Sequence, residues 1–427
     1  MKKKGRKTMS VLQYILDLGS SVVMPLIITI LGLILGQKFS KAFRSGMTIG
    51  IGFIGINLVI GLMGDFVSPA AQAMTQRFGM NLSVIDVGWP VSASIAFGTQ
   101  IVPFVFLICF VLNIIMLATN TTKTLNIDIW NYWHFILTGA LVQFLTGSMI
   151  AGVIASGITF IIIMKLADYS APRVQEYFGL PGVSLPHTET VSWAPICILM
   201  DKVYDKIPGI NKIHFDGETI QKRFGIIGEP MVLGLILGAG LGALAGYEPN
   251  KIITLGVNMA AVMFILPRMV RILMEGLMPL SEDAKKFLAK KFPGKEVNIG
   301  MDAAIATGSP MVISAALIMI PVTLLLAVIL PGNRVLPLVD LATLPFFMIW
   351  PVVASKGNLF RSLITGTLMM IAILYIATNL AGTATLIAQS TDFTFPAGAK
   401  AISSLDTGAH LVPYIIYKIA EFFQMIF

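Results

Sequence analysis

The chain has 427 residues, of which 56% are hydrophobic and only 12% are charged, and its mean hydropathy is +0.83. Soluble domains carry about 25% charged residues, so this composition excludes a soluble protein and predicts a polytopic membrane protein. The net charge of +8 is spread over the loops, which favours contact with an anionic inner leaflet over nucleic-acid binding. The two cysteines, Cys109 and Cys197, lie in apolar surroundings and predict neither a disulfide framework nor a metal site.

Apolar runs long enough to cross a bilayer, which takes about 20 residues, recur from residue 11 onward. The first follows the basic stretch MKKKGRKTMS and is too long for the apolar part of a signal peptide, so we expect it to be retained. Polar segments at 201–223 and 281–297 are predicted to form amphipathic helices on the membrane surface. The fold class predicted is an all-α polytopic membrane protein with about eleven transmembrane helices, which lie near 11–35, 46–64, 101–118, 129–150, 151–169, 226–246, 252–274, 311–331, 337–354, 360–381 and 409–427.

Two further apolar stretches, 81–100 and 298–310, are interrupted by Gly, Pro and Asp, and they resemble each other. Each carries an aspartate, Asp86 or Asp302, then a glycine and a proline, and then a full span, beyond which a second aspartate follows. The pattern predicts re-entrant hairpins in two repeats, approximately 11–169 and 226–381, within one membrane domain that covers 1–427. An odd number of spans per repeat inverts the second repeat, as in many transporters.

The stretch from Leu180 to Pro195, LPGVSLPHTETVSWAP, lies between apolar runs but contains three prolines, a histidine and a glutamate. Non-helical backbone survives at membrane depth only where protein or a water-filled cavity surrounds it. We therefore predict a re-entrant segment that lines a polar cavity. A loop at the membrane surface is the alternative.

Lysine and arginine predict the orientation, because cytoplasmic loops are enriched in both. Placing 201–223 and 268–296 in the cytoplasm leaves 21 of these residues inside and 9 outside. Five of the nine lie in the N-terminal KKKGRK, which conflicts with the extracellular N-terminus that this arrangement requires.

Ionisable residues within membrane segments are candidates for function. In NIDIWNYWHFILTG, residues 126–139, Asn131 and His134 lie three apart on one helical face, close to two tryptophans. Asn, His and Trp suit a polyol, which needs paired donors and acceptors and an aromatic face. An aromatic belt with a structural histidine is the alternative.

Three further groups complete the set of candidates. Asp86 with Trp89, and Asp302 in the second hairpin, are expected either to bind hydroxyls or to cap half-helices. His187 and Glu189 are predicted to form a donor–acceptor pair over a bound hydroxyl. Glu229 is expected to be structural, at a helix start. His214 and His410 lie in polar segments and no metal motif occurs, so no metal centre is expected.

The residues also carry a resemblance that covers nearly the whole chain. It rests on runs such as YILDLG (14–19), IDVGWP (85–90), NIDIWNYWHFILTGAL (126–141), FGIIGEP (224–230) and PGNRVLPLVDLAT (331–343). These resemble the galactitol-type IIC membrane subunit of the bacterial sugar phosphotransferase system. The related ascorbate-type proteins imply a dimerising scaffold, an elevator-type core, and a sugar site at positions that correspond to His134, His187 and Asp302.

The resemblance implies a homodimer in the bacterial cytoplasmic membrane, surrounded by lipid, that takes up galactitol or a similar polyol. A separate phospho-IIB, supplied by IIA and HPr, would phosphorylate the polyol, so this subunit is expected to hold no cofactor and no self-contained catalytic site. An ion-coupled secondary transporter of a small polar metabolite is the alternative, because buried carboxylates can also bind H⁺ or Na⁺. A membrane-embedded enzyme is disfavoured by the absence of a catalytic motif.

Overall fold

The computed structural model of the protein describes residues 25–78 (apart from 27, 31, 34 and 35), 84–126, 128, 130–213, 230–291, 297–337, 340–391 and 401–426. The described residues are mainly helical, which confirms the helical fold class in outline. They also contain six strands of two or three residues each, which an all-α prediction does not include.

After helical residues between 25 and 33, the chain forms one long helix and then a series of short and long elements. In order, these are α1 (Phe39–Arg77), β1 (Val84–Asp86), α2 (Trp89–Phe97), α3 (Val102–Ala118), β2 (Thr124–Asn126), a 3₁₀ turn (Trp130–Tyr132), α4 (Trp133–Thr146), α5 (Met149–Phe178), β3 (Val183–Ser184), α6 (Thr188–Val191), α7 (Ala194–Tyr204) and a 3₁₀ turn (Ile210–Lys212).

Two helices then precede a second series that has the same order as the first. In chain order, these elements are α8 (Pro230–Leu244), α9 (Pro249–Lys291), β4 (Asn298–Gly300), α10 (Ala304–Thr307), α11 (Pro310–Ile329), β5 (Val335–Leu336), a 3₁₀ turn (Asp340–Thr343), α12 (Leu344–Ala354), α13 (Leu359–Gln389), β6 (Ala401–Ser403), α14 (Leu405–Ala409) and α15 (Leu411–Ile426). The element order from β1 to α7 therefore recurs from β4 to α15.

The six strands form two parallel three-stranded sheets, and each sheet combines both series. In the first, β1 lies between β5 and β6, with Val84 paired to Val335 on one side and to Ala401 on the other. In the second, β4 lies between β2 and β3, and Ile299 is paired with both Leu125 and Val183. The central strand of each sheet thus comes from one series and the two outer strands from the other.

Gly300 ends the central strand of the second sheet at a point where the neighbouring segments approach closely. A Cβ atom there would lie 2.8 Å from Cγ of Pro186 and 3.0 Å from Cα of Asn126. Both are ordinarily rigid neighbours, since one belongs to a proline ring and the other to backbone. The close approach of β2 and the segment after β3 to β4 therefore depends on glycine at this position.

Three described helices are long and apolar enough to cross a membrane, namely α5, α11 and α13. Four shorter apolar stretches lie within α3, α4, α8 and α12. The predicted spans 46–64 and 252–274 fall inside α1 and α9, which are 39 and 43 residues long. The predicted first span, 11–35, lies mostly outside the described residues.

Several predicted boundaries differ from the observed ones. Gly147, with φ of +71°, ends α4, so the break between the predicted spans 129–150 and 151–169 falls three residues earlier than expected. The predicted span 337–354 is reduced to α12 because β5 and a 3₁₀ turn occupy the residues before it. The start of the polar segment 281–297 continues α9 as far as Lys291 instead of forming a separate surface helix.

The proline-rich stretch 180–195 contains β3 and α6, and residues 183–194 are all buried. It is therefore enclosed by protein, as a segment that lines an internal cavity would be. This burial follows from its contacts, because β3 pairs with β4 while α6 packs against α5 and α12.

Helices α1, α8 and α9 pack along one another, and we call them the scaffold helices. A cavity of about 610 Å³ lies between them and α11. Its lining is apolar throughout and includes Met74, Ile236, Met259, Leu324 and Leu325. Among the described residues that line this cavity, none has a polar side chain.

Candidate functional site

The site forms where three irregular segments meet. His134 lies in the first turn of α4, directly after the 3₁₀ turn of residues 130–132. His187 is the N-cap residue of α6 and has the extended backbone usual at that position, with φ of −88° and ψ of 111°. His410 separates α14 from α15 and has φ of −74° and ψ of 67°. Each histidine thus lies at a break in helical structure.

These three residues form what we call the histidine cluster. Nδ1 of His134 lies 2.5 Å from Nε2 of His410, and Nε2 of His134 lies 3.0 Å from Nε2 of His187. The side chains are buried, with 4% or less of each residue exposed. His134 is therefore hydrogen-bonded at both ring nitrogens by the other two.

A carboxylate lies at each end of the histidine cluster. Oε1 of Glu189 is 3.7 Å from Nδ1 of His187, and Oδ1 of Asp406 is 3.5 Å from Nδ1 of His410. Nδ1 of His410 also lies 2.6 Å from the backbone carbonyl oxygen of Asp406. The structure thus brings the three candidate residues His134, His187 and Glu189 together and adds Asp406 and His410.

His410 is not among the residues predicted for the site, because residues around 400–410 have the composition of a polar segment. A signal was nevertheless present, since ISSL (402–405) before His410 resembles VSL (183–185) before His187. Both runs contain a strand and lead into a short helix, α14 and α6 respectively. Comparison of the two half-chains beyond residue 381 would have paired these segments.

Two further predicted residues, Asn131 and Asp302, lie near the cluster, and Asn131 is on the segment that leads into α4. The side-chain amide of Asn131 donates to Oδ2 of Asp128 at 2.7 Å, and both residues are buried. Asp302 is less buried and interacts electrostatically with both Asp128 and His187. Asn131 and Asp302 therefore belong to the surroundings of the histidine cluster.

Asp86 and Trp89 have a different environment, in which the carboxylate of Asp86 caps backbone. One oxygen accepts the N–H of Gly88 at 3.1 Å and the other accepts the N–H of Asp340 at 2.8 Å. The backbone N–H of Trp89 donates to Oδ1 of Asp340, also at 2.8 Å. These bonds support the capping alternative for Asp86, since they satisfy donors at the starts of half-helices.

Polar atoms without a hydrogen-bond partner are concentrated around the histidine cluster. Eleven buried side-chain atoms of the described residues have no partner, and six of them lie on the segments that carry the cluster. These six are Oδ1 of Asp128, Nε1 of Trp133, Nδ1 of His187, Oγ1 of Thr188, Oε2 of Glu189 and Oδ1 of Asp406. Because buried polar groups are normally paired, such a concentration indicates a site for a polar ligand.

Two aromatic rings pack against the histidines. The ring of Trp133 lies 4.0 Å from that of His134, centroid to centroid, and the ring of Phe346 lies 5.6 Å from that of His187. These contacts fix the imidazole planes and exclude water from one side of the cluster. The site therefore combines fixed polar groups with apolar walls, as small-molecule sites commonly do.

Metal binding was not expected, yet His134, Asp406 and His410 place ligand atoms within 4.8 Å of one another. Two ring nitrogens bound to one tetrahedral zinc, at about 2.0–2.1 Å each, would lie roughly 3.3 Å apart. The nitrogens of His134 and His410 are 2.5 Å apart, which is a hydrogen-bond distance. A shared metal would therefore require these two rings to separate.

Comparison with known proteins adds to this geometry. Residues 14–398 match the EIIC-GAT family, described as the PTS system sugar-specific permease component. The chain is 42% identical to the galactitol-specific EIIC component of the PTS system in Escherichia coli K12 and in Escherichia coli O157:H7, over 96% of the chain and 90% of each relative. It is also 42% identical to a putative permease IIC component of strain K12, over 92% of the chain and 90% of that protein. The chain therefore belongs to the EIIC-GAT family of sugar-specific permease components of the phosphotransferase system.

Proposed function

We propose that this chain binds galactitol, or a closely related polyol, at the histidine cluster and carries it across the bacterial cytoplasmic membrane for phosphorylation. The proposed site consists of His134 and His187 with Glu189, Asn131 and Asp302. Asp86 and Trp89 support this site indirectly, through hydrogen bonds that involve backbone N–H groups. The relatives with a galactitol-specific name and the geometry of the cluster support the same ligand class.

The observation that carries this proposal is the set of six unpartnered polar atoms around the cluster. Four of them, on Asp128, His187, Glu189 and Asp406, are carboxylate oxygens or an imidazole nitrogen. A polyol hydroxyl can donate one hydrogen bond and accept others, so several hydroxyls can satisfy such a set at once. An anionic substrate would instead face the carboxylates of Asp128 and Glu189 with like charge.

The partner proposed is a separate phospho-IIB that docks on the cytoplasmic face, with IIA and HPr upstream. In this arrangement the basic segments around 201–223 and 268–296 lie inside, and the exposed Lys212 and Lys286 would belong to that face. A carboxylate beside the reacting hydroxyl would take its proton during in-line transfer of the phosphoryl group. The membrane face of the protein would contact lipid.

For transport itself we propose an elevator movement, in which β1–α7 and β4–α15 move together against the scaffold helices of a homodimer. The two parallel sheets link these series to each other. The apolar cavity between the scaffold helices and α11 supports the proposal, because sliding there breaks no hydrogen bond. The recurring order of elements supports an inverted repeat that extends to residue 426, beyond the predicted end at 381.

A binding screen of polyols on the purified chain tests the ligand, and uptake into vesicles tests the coupling. We expect galactitol to bind, and phosphorylated galactitol to accumulate only when phospho-IIB is supplied. Uptake of unmodified galactitol driven by an H⁺ or Na⁺ gradient without IIB would favour the ion-coupled alternative, which the unpartnered oxygens of Asp128 and Glu189 also support. Absence of polyol binding would refute the proposed ligand class.

A further inference from the structure

The direction of every hydrogen bond in the histidine cluster follows from one backbone group. Nδ1 of His410 lies 2.6 Å from the carbonyl oxygen of Asp406. A carbonyl oxygen can only accept, so Nδ1 of His410 carries the hydrogen. In a neutral imidazole the other nitrogen is then an acceptor. Nε2 of His410 therefore presents a lone pair to His134.

The same reasoning assigns the hydrogen positions on the rings of His134 and His187. Nδ1 of His134 lies 2.5 Å from Nε2 of His410. Because that Nε2 carries a lone pair, Nδ1 of His134 must donate, and Nε2 of His134 is then an acceptor. That nitrogen lies 3.0 Å from Nε2 of His187, which must donate in turn. Nδ1 of His187 is thereby left as an acceptor, and it has no hydrogen-bond partner among the described residues.

We propose that His410, held by the Asp406 carbonyl, is a positioning residue that fixes the tautomers of His134 and His187 and so makes Nδ1 of His187 a hydrogen-bond acceptor for a substrate hydroxyl. The role in substrate binding rests on the proposed function, whereas the direction of the hydrogen bonds does not. His410 acts through the other two histidines and needs no contact with the substrate.

The position of Glu189 agrees with this assignment. Its Oε1 lies 3.7 Å from Nδ1 of His187, too far for a direct hydrogen bond, and its Oε2 has no partner. Two acceptors thus lie side by side with no donor between them. A hydroxyl placed there supplies the missing hydrogen, whereas a group that only accepts, such as a carbonyl, would leave both acceptors unsatisfied.

The full chain labelled with ¹⁵N-histidine tests the hydrogen-bond direction, because ¹⁵N shifts distinguish the two neutral tautomers. His214 is the one other histidine in the sequence, and His214→Gln removes its signals. In the ligand-free protein we expect hydrogen at Nδ1 of His410 and His134 and at Nε2 of His187. Hydrogen at Nδ1 of His187, or a charged His134, would overturn the proposal.

Two substitutions separate the tautomer role from simple packing. His410→Gln keeps an oxygen that can accept from His134, so we expect the His187 tautomer to persist and galactitol affinity to stay within about threefold of wild type. His410→Met removes the acceptor, so we expect mixed tautomers at His134 and His187 and an affinity at least about tenfold weaker. Equal effects of the two substitutions on affinity would refute the tautomer role.

Trp193→Phe is the matched control, because Nε1 of Trp193 donates to the carbonyl of Ala409 at 2.7 Å. It removes a hydrogen bond from the same segment and leaves the histidines unchanged, so tautomers and affinity should both be retained. If Trp193→Phe weakens binding as much as His410→Met does, His410 only holds the segment in place.

Two further outcomes are decisive. A stoichiometric metal in the purified protein that is lost in His410→Met would overturn the proposal, since a metal would replace the hydrogen bond between His134 and His410. If His410→Met does not fold, the histidine tautomers measured in the wild-type protein decide whether the proposal holds. If the tautomers are as stated but wild type binds no polyol, the proposed function fails and the hydrogen-bond direction stands.

Discussion

Oδ2 of Asp86 accepts the backbone N–H of Asp340 at 2.8 Å, although the two residues lie in different half-chains. In turn, Oδ1 of Asp340 accepts the backbone N–H of Trp89, which lies in the first half-chain, at 2.8 Å. In the corresponding pair, Oδ1 of Asp302 likewise accepts a backbone N–H, from Ala304 at 2.9 Å, but Asp128 differs from Asp340. Oδ2 of Asp128 accepts from the Asn131 side chain, and Oδ1 has no hydrogen-bond partner within the described part of the chain. Asp86, Asp340 and Asp302 therefore all cap backbone, and Asp128 is the member of the two pairs that keeps an oxygen for a ligand.

Asp86→Ala is expected to reduce stability more than binding. The substitution leaves the buried N–H groups of Gly88 and Asp340 without their acceptor, which costs about 1–3 kcal/mol. The free energy of unfolding in detergent should fall by that amount, while galactitol affinity of the folded protein stays near wild type. A normal stability with a tenfold loss of affinity would instead assign Asp86 to the binding site.

Asp128→Asn changes the corresponding pair, Asp128 and Asp302. Here we expect galactitol binding to be reduced more than stability. If the amide oxygen keeps the hydrogen bond donated by Asn131, the unpartnered position carries an NH2 group, which donates and cannot accept. Galactitol affinity should fall roughly tenfold, with a small change in thermal unfolding. Unchanged binding by isothermal calorimetry would remove Asp128 from the site.

His134→Ala and His187→Ala are each expected to weaken galactitol binding by tenfold or more. Either change removes a buried hydrogen-bonding group worth about 1–3 kcal/mol and leaves its neighbours in the cluster unpaired. Equilibrium binding to purified, normally folded variants measures this effect. A variant that binds galactitol as wild type does would exclude that histidine from the site.

Gly300→Ala is expected to disturb the second sheet. The added methyl would lie 2.8 Å from the Pro186 ring and 3.0 Å from the Asn126 backbone, so β2 or the segment before His187 must move. We expect a loss of about 1–3 kcal/mol in stability, typical of overpacking, and a lower galactitol affinity. Gly240→Ala is the control, because a Cβ there meets no atom within 4 Å. Similar behaviour of the two variants would contradict the close approach.

The elevator proposal predicts different effects of two cross-links made in a cysteine-free background. A link between positions 236 and 325 joins α8 to α11 across the apolar cavity and should stop uptake. A link between positions 108 and 157 joins α3 to α5, where a Cβ at Gly157 would lie 3.6 Å from the Ile108 side chain, and should leave uptake intact. Normal uptake with the first link in place would refute the movement of α11 against α8.

The orientation is tested by labelling single cysteines placed at Lys212 and Lys286, both of which are exposed. The excess of Lys and Arg predicts that these positions are cytoplasmic, so a membrane-impermeant thiol reagent should label them only after the cells are opened. A cysteine at Lys251, predicted outside, is the control. Labelling at Lys212 in intact cells would reverse the orientation and the proposed IIB-docking face.

Apolar run length predicted most helices, because α5, α11 and α13 are long enough to dominate any window of sequence. His134 and His187 could be identified because ionisable residues are rare in such surroundings. The strands could not be predicted from the sequence, because two or three residues are too few to show alternation of apolar and polar side chains. Their partner strands also lie far away in sequence. His410 was missed for a related reason, since its segment is held by contacts distant in sequence, such as the pairing of β6 with β1 and the hydrogen bond from Trp193 to Ala409.

The pairing of β1 with β6 also constrains the timing of folding during synthesis. About 315 residues separate the two strands, and at roughly 5–20 residues per second the ribosome needs on the order of 15–60 s to make them. For about the first 250 residues of that interval β1 lacks both of its neighbours, it then lacks β6, and throughout the histidine cluster lacks His410. A nascent chain that stops before residue 401 therefore exposes an unpaired edge, which quality-control proteases and chaperones can recognise.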